Sequence, residues 1–274
     1  MSLVSCDTPT NRLLWLPNTA VEPILFRIGL AMVLSLAVTV PALFLDDRTF
    51  QGQNVWIKPI KFQIALAIYF LTLSVYAGML PHRVIASVRM RVFLIVASLA
   101  AIAEMLWIGG AAMFATASHY NTGPVMSIIY GAMGVAAIIL TSVSLVLGLA
   151  FWKADRGVAK DPLYLSLALG LILTFVLTVP IAGVLSSMPG HHIGVPITGE
   201  ALPLMGWSRE VGDLRVGHFF ATHALHAVPL VGVMVAGMAN RSLGNRLVWA
   251  SAVAYAALTL GTFLQALWAQ PFIS

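Results

Sequence analysis

Charge is what this sequence lacks. Of its 274 residues only 9% are Asp, Glu, Lys or Arg, fifteen basic against ten acidic, while 59% are apolar; the mean hydropathy is +0.92. A water-soluble domain carries about 25% charged residues, so the composition excludes a soluble globule and makes lipid the solvent for most of the surface. Cysteine is nearly absent as well. Cys6 stands alone, which excludes an internal disulfide and any cysteine-paired metal or redox motif. The basic balance, with a pI near 9.7, does not point to nucleic acid, because the charges sit between apolar runs and read as membrane anchors. The apolar run in the first twenty-one residues is too short and too early broken for a cleavable export signal. No tandem repeat, low-complexity tract or soluble appendage is visible. The expected organisation is therefore a cytoplasmic or interfacial tail at 1–21 and one transmembrane domain at 22–274.

Uncharged stretches long enough to cross a bilayer, about 20 residues each, recur along the chain. The longest runs from Met105 to Trp152, and SHYNTGP at 118–124 is its one credible break, since Asn, Gly and Pro cluster there. The pattern predicts an all-α polytopic membrane protein, a single bundle of seven helices near 22–45, 58–80, 88–117, 125–151, 162–186, 214–238 and 246–269. Ten Lys and Arg lie on the N-terminal side of these spans against five on the other. By the positive-inside rule the N-terminus is cytoplasmic and the C-terminus periplasmic, with 46–57, 118–124 and the long loop 187–213 outside.

The polar residues that remain converge on that outer side. The sixth helix opens with DLRVGHFFATHALHAVP (213–229), which holds three histidines in nine residues. At about 100° per residue, Arg215, His218, Thr222 and His226 fall within about 80° of arc and His223 extends it by about 60°. A polar face of that kind must avoid lipid. Neutral imidazole suits it, because one ring nitrogen can ligate a metal while the other hydrogen-bonds. Taken singly, each histidine has an ordinary alternative role as an interhelical hydrogen bond. The second helix begins WIKPIKF (56–62), and Lys58, Lys61, Tyr69, Thr72 and Tyr76 share one face, although lysines at a bilayer boundary commonly snorkel to phosphates. Glu104 lies near mid-membrane in the third helix, where an isolated carboxylate is too costly and must be protonated or paired, with Thr174, Thr178 and Tyr255 as candidate partners. His119 and Asn121 follow that helix. His191 and His192 lie in the loop at 187–213, whose length is that of a binding loop or lid. A last stripe, Tyr255, Thr259, Thr262 and Gln265, reads as helix packing.

The motifs WIKPIKF, SHYN and DLRVGHFFATHALHAVPL together resemble a family of uncharacterised bacterial polytopic inner-membrane proteins. The resemblance implies the inner membrane and carries no chemistry. A retinal Schiff base is excluded, because the seventh helix has no lysine. The seven-helix membrane zinc hydrolases space two late histidines differently from His218, His223 and His226.

The leading expectation is thus a periplasm-facing site that holds haem b or a transition metal, zinc or copper, for a redox or metal-assisted reaction. His119, His218 and His223 would be cofactor or metal ligands, His191 a further metal ligand, and Glu104 and His226 deeper catalytic or proton-relay groups. Lys58, Lys61, Asn121 and Arg215 would bind ligand. Expected partners are membrane lipids and a quinone or lipid-like substrate. One alternative is a carrier or receptor for a lipid or anionic small molecule, with Lys61 and Arg215 holding the acidic group. Another is a non-catalytic assembly or scaffold protein.

Overall fold

Inside a bilayer a backbone polar group finds no water, so a chain this apolar must satisfy its amides within helices. The computed structural model describes residues 21–119, 123–154 and 161–274, and among them seven helices are each long and apolar enough to cross a membrane. They are α1 (Pro23–Leu45), α2 (Ile57–Gly78), α4 (Val88–Met113), α5 (Pro124–Lys153), α6 (Pro162–Ser187), α7 (Leu214–Val235) and α8 (Arg241–Leu267), with a four-residue α3 (His82–Ile85) between α2 and α4. Two short antiparallel ribbons complete the fold: β1 (Thr49–Phe50) with β2 (Gln53–Asn54), and β3 (His192–Ile193) with β4 (Gly212–Asp213).

The helix starts follow capping chemistry. Side chains of Glu22, Ser87, Asp161, Asp213 and Asn240 each accept a backbone N–H from the first turn of the helix they precede, and proline occupies the first turn of α1, α5 and α6. The two largest departures from the expected boundaries have local causes. The third span ends at Met113, four residues early, where the chain turns through Ala115 at φ 49°. The last starts at Arg241 because Asn240 caps it.

Half of the most apolar stretch of α6 is covered by protein, against 22% for α1 and α8, so α6 is the central helix. It lies against α5, α7 and α8. Glycine permits close approaches between these helices. A Cβ at Gly170 of α6 would meet Pro229 Cδ at 2.7 Å and the Ala224 carbonyl at 2.9 Å, which is the small-residue packing membrane helices use in place of a hydrophobic drive. Large apolar side chains such as Phe44, Leu106 and Val253 point outward, as lipid requires.

Pro229 sits inside α7, and a proline leaves the carbonyl four residues earlier without its helical donor. That carbonyl belongs to Leu225, and Tyr76 of α2 donates its hydroxyl to it at 3.1 Å. One turn earlier in α2, Thr72 Oγ1 lies 3.1 Å from His226 Nε2. Two members of the α2 polar face thereby fasten α2 to α7, while Tyr69 donates instead to the Leu140 carbonyl of α5 at 3.2 Å.

Tyr76→Phe is expected to lower stability in detergent by about 1 kcal/mol. In a Pro229→Ala background, where residue 229 again supplies an N–H, the same change should cost little. A double-mutant cycle on thermal unfolding reads the difference.

Candidate functional site

The ends of α1, α4, α6 and α8 and the starts of α2, α5 and α7 gather at one end of the bundle. Local hydrogen bonds fix this end. Arg48, beyond α1, donates to the Met113 carbonyl at 2.9 Å and pairs with Asp46. Asp46 also accepts from Trp56 Nε1 at 2.8 Å, so its carboxyl is held well below the usual range, first by Arg48 and then by Trp56. The segment after α4 is tied down by Trp107, which donates to the Ser118 carbonyl at 2.8 Å.

Two clusters form at this mouth. In the first, Lys58 Nζ donates to Ser118 Oγ at 2.7 Å and to His119 Nδ1 at 3.1 Å. An ammonium only donates, so Nδ1 of His119 carries the lone pair and Nε2 the proton. Burial, and then the Lys58 charge, push His119 down to about 4. Phe62 and Tyr130 flank the imidazole at ring distances of 6.2 and 5.4 Å.

The second cluster is made by the long loop. Its two ends pair as β3 and β4, placing His192 opposite Asp213, and Leu214 N donates to the His191 carbonyl at 2.9 Å. Gly212 is required here, since a Cβ would run into the Ala266 carbonyl of α8. The loop between is ordered by its own contacts. Glu210 accepts from the amides of Ile197, Thr198 and Glu200, and Trp207 is buried against Phe219 and Phe272. One ligand-capable atom from each of His191, His192 and Asp213 lies within 4.8 Å of the other two.

Asp213 is fully buried and Arg215 encloses it: Oδ1 accepts from Arg215 N at 3.0 Å and Nε at 2.9 Å, and Oδ2 from Nη2. Burial alone would raise the Asp213 carboxyl, but the hydrogen bonds and charge of Arg215 outweigh it and hold the group below its usual value. On the Oδ2 side the other contacts are long, Ser208 N at 3.2 Å and His192 Nε2 at 3.6 Å. His192 Nε2 is buried without a hydrogen bond among the described residues. His191 and His192 touch edge to face at 4.1 Å. Burial, followed by Arg215, brings His191 down to about 4, with Lys58 among the charges it feels. Burial lowers His192 also, partly offset by Asp213. Both rings are therefore neutral at pH 7.

The intramembrane candidates sort differently. His223 Nδ1 lies 2.8 Å from the Phe219 carbonyl of its own helix and stacks on Phe219 at 4.1 Å. Its ring is 5.5 Å from His226. Nδ1 of His218 and Nδ1 of His226 are buried with no hydrogen bond among the described residues. The α7 rings adjoin one another, yet they do not form a three-ligand cluster. Glu104 is buried and makes no hydrogen bond or ion pair among the described residues. The partners expected for it are otherwise engaged or unbonded: Thr174 donates to Gly170, Tyr255 to Phe220, and Thr178 Oγ1 has no hydrogen bond among the described residues. Lys61 is exposed and makes no hydrogen bond or ion pair among the described residues, whereas Arg215, with which it was expected to act, is engaged by Asp213. Asn121 lies outside the described residues. The α8 stripe is structural: Tyr255 bonds the Phe220 carbonyl of α7, and Gln265 the Pro271 carbonyl at 2.6 Å.

Sequence reasoning passed over Asp213 as a ligand and gave His192 only a capping role. The readable signal was the Asp-x-Arg at the head of α7, an N-cap carboxylate beside its own counter-ion. Comparison with family models, known proteins and solved structures finds no match to this chain.

The depressed imidazoles fix a pH dependence. Unfolded histidine takes a proton near pH 6.5, whereas folded His119 and His191 resist until about 4. The unfolded state thus binds more protons in that window, and stability falls as pH drops from about 6.5 towards 4. Thermal unfolding across this range should show the decline, and His119→Gln and His191→Gln should each flatten part of it.

Proposed function

We propose that this is a multi-pass protein of a bacterial inner membrane, N-terminus cytoplasmic, whose periplasmic mouth holds a divalent transition metal on His191, His192 and Asp213 for a metal-assisted reaction. The carrying observation is the convergence of three ligand-type atoms within 4.8 Å at the point where the long loop returns to α7. Ligand atoms about 2.1 Å from zinc at tetrahedral angles are about 3.4 Å apart, so the rings need close by little more than an ångström. Two histidines and one carboxylate leave a coordination position open, which is the pattern of reactive rather than purely structural sites.

The surroundings favour ligation. Metals bind neutral imidazole, and both rings are held neutral. Oδ2 of Asp213 lies 3.6 Å from His192 Nε2, and Arg215 donates to both carboxylate oxygens and fixes their orientation, the role outer-shell groups play around metals. The bound metal would supply Lewis acidity or an activated water. Haem b has less support: the imidazole pairs in contact, His191 with His192 and His223 with His226, each leave from one segment, so neither offers axial ligands from opposite sides. The orientation rests on the basic-residue asymmetry and the bacterial membrane on the motif resemblance.

Purified protein reconstituted with zinc should hold about one equivalent by elemental analysis, retain it well below pH 6.5, and lose it in His191→Ala and His192→Ala but not in His223→Ala. No metal above background, or a Soret band abolished by His119→Ala or His218→Ala, overturns the reading.

A further inference from the structure

We infer that Ser118 is a nucleophile, with Lys58 as its general base and His119 as the residue that positions the base, and that this trio cleaves carboxylic esters brought to the bundle mouth. The inference goes beyond the metal reading and uses none of its ligands.

Three distances carry it. Lys58 Nζ lies 2.7 Å from Ser118 Oγ and 3.1 Å from His119 Nδ1, and Oγ lies 3.0 Å from Nδ1. A serine within hydrogen-bond reach of a base that a third group orients is the arrangement that activates hydroxyl nucleophiles, and lysine is the base in one variant of it. The trio joins the head of α2 to the segment after α4. Trp107 donates to the Ser118 carbonyl at 2.8 Å and so fixes the backbone that carries the nucleophile. Ser118 is buried, His119 half-buried and Lys58 exposed, so the cluster reaches the surface through the lysine.

As an ammonium, Lys58 donates to both Oγ and Nδ1, and no carboxylate pairs with it among the described residues. Once it gives up a proton, the amine still donates to Nδ1 and its lone pair meets the serine hydroxyl. His119 thus keeps Nζ aimed at Ser118 in both forms. Ser118 gives its proton to Nζ as Oγ bonds to the ester carbonyl carbon. The bond from that carbon to the alcohol oxygen breaks, and the Lys58 ammonium returns the proton to the departing alkoxide. Water, deprotonated by Nζ, then attacks the acyl carbon, and Oγ leaves and takes the proton back. The His119 amide, which makes no hydrogen bond among the described residues, stands in sequence where acyl-transfer sites take an oxyanion donor. Phe62 and Tyr130, at ring distances of 6.2 and 5.4 Å from His119, give the acyl chain an apolar flank. Trp56 and Lys58 mark headgroup depth, so the ester belongs to a lipid or to a soluble molecule that reaches the same mouth.

The test treats the full-length protein in mild detergent with a fluorophosphonate, with and without EDTA. Oγ displaces fluoride from phosphorus, and peptide mass spectrometry locates the adduct. Expected is labelling of Ser118 that EDTA leaves unchanged. Ser127→Ala, at an exposed serine nearby, should not alter it. Lys58→Arg keeps the cation but has no proton to lose and should slow it by roughly a hundredfold or more. His119→Gln, whose amide oxygen replaces the acceptor, should retain more of the rate than His119→Ala. Hydrolysis of p-nitrophenyl butyrate identifies a soluble source, and of phosphatidylcholine in nanodiscs only, a lipid source; either should vanish in Ser118→Ala. No adduct on Ser118, an unchanged rate in Lys58→Arg, equal loss in the two His119 variants, or hydrolysis of neither ester overturns the inference. Zinc binding without labelling sinks this inference alone, and Lys58-dependent labelling without zinc binding sinks only the metal reading.

Discussion

The buried carboxylate of Asp213 is the constraint around which the mouth is built. It caps α7, holds the guanidinium of Arg215 in plane, accepts from the amide of Ser208 and stands across the β3–β4 ribbon from His192. A charged group with no exposed side-chain surface persists only where hydrogen bonds and an opposite charge replace water, and here both come from residues two to five positions away. Because the same residue ends the loop and begins the helix, the loop's histidines are delivered to the start of the polar face of α7. Without the carboxylate, Arg215 would be a buried-edge cation with nothing to orient it, and the loop would lose its closing contact.

Deeper in the bundle the organising rule is backbone accounting. Proline inside α7 frees a carbonyl, and in a bilayer that group must find a protein donor. Tyr76 supplies it, and the proline ring fills the space left by Gly170. The proline, the tyrosine and the glycine are therefore one arrangement spread over three helices. Its effect is to hold α7 against α2 and α6.

Much of this was legible in the sequence, for physical reasons. Hydropathy marks the spans because lipid leaves few solutions besides helices, and caps such as Asn240 or breaks such as Ala115 account for the boundary shifts. The gathering of polar residues at one end followed from alternating span direction. Periodicity already spread His223 away from the arc that holds His218 and His226, and among the described residues the α7 rings form no three-ligand cluster. Illegible was the pairing of residues 192–193 with 212–213, since two-residue strands leave no periodic signal, and with it the partnership of His192 and Asp213. The partners of Lys58 were illegible for the same reason: Ser118 and His119 lie some sixty residues away, and helical periodicity reports only on neighbours along one helix.

The division of labour among the histidines follows from where each finds its second partner. A histidine in a helix can settle one nitrogen on a carbonyl of the preceding turn, as His223 does with Phe219, which turns the ring back along its own helix. His226 reaches across to Thr72 instead and acts as a helix fastener. His191 and His192 have no helix to turn back to. They sit on a ribbon whose backbone bonds are already spent on β4, so their ring nitrogens are left neutral beside the carboxylate of Asp213. Imidazoles relieved of structural duty, rather than those most concentrated in the sequence, are the ones free to meet a ligand.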